Sequence, residues 1–176
     1  GIFTSAAILG SGSLLADDVI DSINEGIEAY QEGAYKDAVE SLNYASQLIQ
    51  QMKGENLQTY LPEPLEGWTA QNASSQSAGA AMFGGGITAK RSYRKDKSQI
   101  NVSIITDSPM MQGMMMMFSN PMFASSDGGK LKKIKRQKAI VKYNPANNSG
   151  EIKVMAADRL LVTVDGSNVA ENDLMD

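Results

Sequence analysis

The sequence has no cysteine and no histidine among its 176 residues. Without cysteine there is no disulfide, no thiolate nucleophile, no iron–sulfur cluster and no cysteine-ligated zinc. Without histidine the usual general base and the commonest transition-metal ligand are missing. Ser-His-Asp and Cys-His chemistry are therefore excluded. Catalysis without either residue exists, as in the carboxylate pairs that glycosidases use. Aromatics are few, with one tryptophan, six tyrosines and four phenylalanines. No phosphate loop is present either: Gly84, Gly85 and Gly86 are not followed by Gly-Lys-Ser/Thr or by dinucleotide spacing.

Long hydrophobic runs are missing as well. The longest, residues 2–15, has about fourteen apolar or small residues and is short for a membrane span. Residues 1–16 match the tail of a secretory signal, with Leu14, Leu15 and Ala16 before Asp17 and Asp18 in the place of a cleavage site. An ordinary N-terminal segment is the rival reading. The expectation is an exported, periplasmic protein without a transmembrane span or a cofactor.

Charge is strongly segregated. Residues 1–70 carry 11 acids and 2 bases, residues 71–150 carry 3 acids and 12 bases, and residues 151–176 carry 6 acids and 2 bases, for a net −4. This predicts an acidic helical part and a basic sheet part.

The helical part is residues 17–54. Ile20, Ile23, Ile27 and Tyr30 form one apolar stripe, and Asp17, Asp18 and Asp21 suit a helix start. Gly33 breaks the pattern. Tyr35, Ala38, Leu42, Ala45, Ile49 and Met52 form a second stripe, with Gly54 as its expected stop. Two such helices joined by a short turn pack antiparallel. In this run Gly26, Gly33, Tyr35, Ala38, Val39, Leu42 and Ala45 stand in the register of a tetratricopeptide helix pair, which the segment resembles. Ser22 stands where that pattern usually has a large aromatic. A single pair cannot make the concave groove of stacked repeats, which needs about three. The resemblance therefore implies a helical hairpin and docking to a protein partner. Tyr30, Tyr35 and Tyr44 are the candidate contacts.

Residues 55–67 read as a linker, with Pro62 and Pro64 enforcing extended geometry. Residues 70–86 read as a mobile loop or a weak edge strand. In residues 68–176, strand signals follow at 87–94, 100–104, 130–143, 150–156 and 159–165, about five strands. Residues 170–176 read as the first turns of a helix.

Between the second and third strands lies the methionine run, residues 109–123, entered through Ser108 as cap and Pro109 in the first turn. Met110, Met114, Met117 and Phe118 recur at helical spacing, with Met111, Met115 and Met122 beside them. A helix apolar nearly all round predicts burial on several sides, with a sheet folded around it. Thioethers are also soft ligands, so Met110, Met111, Met114 and Met115 are candidates for Cu(I) or, alternatively, for an adaptable apolar surface.

The fold class is then α+β: an antiparallel helical hairpin plus an antiparallel sheet packed against a Met-rich helix. With Gly67 and Trp68 early and a helix inserted mid-sheet, residues 60–176 resemble the PsbP-like domains. That resemblance implies a non-catalytic accessory domain that binds proteins. Lys130, Lys132, Lys133, Lys135, Arg136, Lys138 and Lys142 read as a solvated strand face or as contacts to an anionic surface, with Lys132, Lys135 and Arg136 as partner candidates. No aromatics interleave them, so no nucleic-acid partner is expected. Protein–protein interaction is the leading expectation, with a soft-metal or small apolar ligand binder second and a carboxylate enzyme third.

Overall fold

The computed structural model describes residues 11–78, 86–120, 122, 125, 128–157 and 159–175, with backbone only at 11–14. Residues 1–10 of the signal-like run, Gly84 and Gly85 lie outside the described residues. The chain divides into two compact units, Gly1–Lys53 and Gly54–Asp176.

The first unit contains helix α1 (Ser11–Gln31) and most of helix α2 (Tyr35–Gln58). Helix α1 begins at Ser11, so Asp17, Asp18 and Asp21 lie inside it and do not cap it. The turn is a Schellman motif: Gly33 N–H bonds Tyr30 O at 3.1 Å and Ala34 N–H bonds Ala29 O at 2.9 Å. Gly33 sits at φ +78°, a conformation glycine adopts without strain.

The apolar stripes expected as the hairpin core are largely not its core. Val19, Ser22, Gly26, Ala38, Ala45 and Leu48 are buried, whereas Ile20, Ile27, Tyr30, Tyr35, Leu42 and Ile49 are exposed. Close approach selects the small residues. A Cβ at Gly26 would lie 2.9 Å from Leu42 Cγ, so the helices meet there only because no side chain intervenes. Ser22 is buried and its hydroxyl donates to Asp18 O at 2.8 Å, which satisfies it within the helix.

Helix α2 does not stop at Gly54 but runs to Gln58. Gly54 is a packing glycine: a Cβ there would come within 2.8 Å of Ser75 Oγ. Leu57 and Leu61, within and just after the last turn, enter the core of the second unit.

That unit is an eight-stranded antiparallel sheet: β1 (Thr69–Ala70), β2 (Ser74–Ala78), β3 (Gly86–Lys95), β4 (Ser98–Thr106), β5 (Lys130–Ile134), β6 (Gln137–Asn144), β7 (Ser149–Ala156) and β8 (Leu160–Ser167). The spatial order is β1-β3-β4-β8-β7-β6-β5, with β2 also on β3. The expected count of about five is thus too low. Residues 130–143, read as one strand, are two, joined at Lys135 and Arg136 with φ +44° and +72°. Both positive angles belong to a tight hairpin turn usually marked by Asn-Gly, and lysine and arginine carry no such signal. Residues 69–78 add β1 and β2.

Alternation gives the sheet two different faces. Cross-strand rows such as Val102–Val164–Ile152–Val141 form the inner face, covered by Leu57, Leu61, Val169 and Leu174. Leu174 belongs to the short helix α4 (Glu171–Met175), where a final helix is expected. The outer face carries a smaller cluster around Phe118, Ile140 and Leu161.

Helix α3 (Met110–Ser119) lies on that outer face, so the sheet does not fold around it. Phe118 is its one buried residue, and Met114 and Met117 pack beside it. Met110, Met115, Met116 and Met122 are exposed, Met116 at 63% and Met122 at 77%. Burial on several sides fails because, among the described residues, the helix packs on one side only. Ser108 Oγ accepts from Met110 N–H at a long 3.4 Å, and Pro109 stands in helical geometry at the start.

Candidate interaction surfaces

Among their described side chains, helix α1 and the Gly1–Lys53 part of α2 together expose eight large apolar ones: Ile20, Ile27, Tyr30, Tyr35, Val39, Leu42, Tyr44 and Ile49. Tyr30 and Tyr35 flank the turn with ring centroids 5.7 Å apart and planes tilted by 56°, within the range of favourable aromatic pairs. Tyr44 and Val39 line an open groove of about 750 Å3 along α2, bordered by Glu25, Asp37 and Glu40. Ile20, Ile27, Val39, Leu42 and Ile49 were not expected on this surface. The sequence signal was present, since the hairpin has more large apolar residues than one helix–helix seam can cover.

The four candidate copper ligands, Met110, Met111, Met114 and Met115, differ in burial. Met114 is packed into the outer cluster and Met111 is half-buried, while Met110 and Met115 are exposed. Met115 instead meets Phe118, Met155, Arg136 and Lys138 around a shallow hollow of about 310 Å3. Among the described residues, no group of three or more His, Cys, Asp or Glu is placed to hold a metal ion.

The basic run is divided by strand alternation. Lys130 and Lys132 stand opposite Val141 and Ala139 on the inner face, whereas Lys133 and Lys138 face each other on the outer face. Lys132 is engaged within the molecule, its Nζ donating to Glu171 Oε1 at 2.7 Å. That pair is half-exposed and worth about 0–1 kcal/mol. Lys135 and Arg136 form the exposed β5–β6 turn. β5 ends the sheet, and its charges protect an open edge from pairing.

Two carboxylates do come together, Glu151 and Asp165, directly opposite on β7 and β8. They lie on the open outer face, and Glu151 Oε1 accepts from Lys153 Nζ at 2.5 Å. Partial burial in the sheet surface pushes the Asp165 carboxyl above its ordinary 3.8, Glu151 adds to the rise and Lys153 opposes it. An acid with a raised pKa binds its proton more tightly in the folded chain. Stability is therefore fully kept below the unfolded value and lost as pH rises through the folded one. Asp165→Asn is accordingly expected to stabilise the chain at about pH 7 and to lose that advantage at about pH 3. Urea midpoints of both chains at the two pH values measure this; equal differences at both would overturn it.

No helix among the described residues is long and apolar enough to cross a membrane. No family model matches the chain, nor does any curated protein or solved structure.

Proposed function

We propose that the chain is an exported, periplasmic protein without chemistry of its own that acts by binding another protein through its helical hairpin. One observation carries this reading: among its described side chains, the hairpin leaves eight large apolar ones exposed. In a helical repeat array such faces are covered by neighbouring repeats, and here a partner would take their place. The partner's chemistry follows from charge. Residues 17–40 carry eight acids and one base, so the complementary surface is an apolar helix flanked by lysine or arginine. The likeness to a tetratricopeptide pair and to PsbP-like accessory domains agrees with this role.

The test is a photo-crosslinking amino acid at position 35 or 44 of the full chain, in cells that produce it. Both positions are expected to give one adduct of discrete mass, and a probe at exposed Arg94 none. Val39→Ser with Tyr44→Ser removes two apolar contacts of about 1–2 kcal/mol each, so affinity for the captured partner should fall at least tenfold. The same adducts from position 94, or none from 35 and 44, would remove the proposal.

A further inference from the structure

The inner face of the sheet is covered incompletely. A cavity of about 320 Å3 remains over β4, β7 and β8, walled by Val102, Ile104, Ile152, Val154, Val162 and Val164. Residues 60–68 cross above it as a strap, and α4 closes one side with Leu174 and Met175. The strap is fixed by Tyr93, whose O–H donates to Pro62 O at 2.6 Å, and by Arg91, which donates to Pro62 O and Glu63 Oε1, each at 3.2 Å. The phenol is thus already committed. Apart from Tyr93, the sheet floor offers only aliphatic side chains, and Glu63, Lys135 and Asp173 are the charged residues of the lining. Water among those valines and isoleucines finds few hydrogen-bond partners, so an apolar group that displaces it gains affinity.

We infer that this cavity is a binding site for a small hydrocarbon group, an alkyl chain or a single aromatic ring. At about 30 Å3 for a water-sized group, it holds about ten non-hydrogen atoms. Peptides do not fit the same description. One helical turn, about 10 Å across and 5.4 Å high, needs about 400 Å3. Strand addition needs a free edge, and β4, β8 and β7 are paired on both sides. Every lining residue belongs to the second unit, so the inference is independent of the hairpin.

Trp68, the only tryptophan, lines the cavity and serves as reporter. The full chain is titrated with n-alkanols from hexan-1-ol to dodecan-1-ol, and with toluene, while Trp68 emission is followed. Saturable shifts are expected, with affinity rising about fourfold per added methylene and levelling once the cavity is full. Saturation by alkanols alone identifies an alkyl chain, and by toluene alone an aromatic ring. Val164→Phe fills the space and should weaken binding at least thirtyfold. Should that variant not fold, Val102→Ala enlarges the space and should move the plateau to a longer alkanol. Non-saturating shifts with every probe would overturn the site, and so would loss of binding in Met115→Gln/Met116→Gln, which lies on the other face.

Discussion

Gly150→Ala is expected to lower the stability of the sheet unit by about 2–3 kcal/mol, measured as a fall in urea midpoint at unchanged slope. The cross-strand row Ile100–Gly166–Gly150–Tyr143 places two glycines side by side on the inner face, near one end of the central strands. A Cβ at Gly150 would stand 2.7 Å from the Lys142 carbonyl oxygen, 2.7 Å from Tyr143 Cδ2 and 3.0 Å from Leu174 Cδ2. The first of these is backbone of the adjacent strand, so relief requires β6 and β7 to separate. Gly166 makes a useful contrast. Its closest approach, 2.6 Å, is to Leu174 Cδ1, the end of a side chain on a short helix. Gly166→Ala should therefore cost only about 1 kcal/mol, by rotating or displacing Leu174. A reversed order, or two neutral variants, would show that the glycine pair is not the seat of that helix.

Phe118→Ala should release helix α3 while leaving the sheet folded. Phe118 is the buried anchor of a ten-residue helix that adds only the half-buried Met114 and Met117 to the outer cluster. Ten residues are too few for a helix to persist in water without docking. Losing a buried phenylalanine costs about 3 kcal/mol, which corresponds to at least a hundredfold faster amide exchange. That acceleration is expected at residues 111–119, with the amides of β4 and β8 unchanged. Met116→Gln, on the exposed side, should leave all of these rates alone. Uniform acceleration across the sheet in Phe118→Ala would mean that α3 is part of the global fold.

The sequence was legible where pattern and packing agree. Alternation at 87–94 and 100–104 became β3 and β4, and the break at Gly33 became the Schellman turn. It was illegible where one residue type serves two purposes. Gly54 reads as a helix stop yet is an interior glycine against Ser75, because both roles require a missing side chain. Lys135 and Arg136 look like strand residues because their turn depends on backbone angles that neither side chain announces. The methionines marked an apolar helix correctly, but composition could not tell one neighbour from two. The inner-face cavity left no sequence mark at all. Its valines and isoleucines have the alternation of any filled core, and only their spacing from the strap leaves the hollow.

The position of β8 has a kinetic consequence. It follows all other strands along the chain yet lies between β4 and β7 in space. The β3–β4 hairpin and the β5–β7 meander can each form locally, but each then presents an unpaired edge, at β4 and at β7. Only β8 joins them, by closing a loop that spans α3 and three strands, and such non-local pairing is slow. During synthesis the chain is thus most exposed to wrong edge-to-edge association in the interval before β8 emerges.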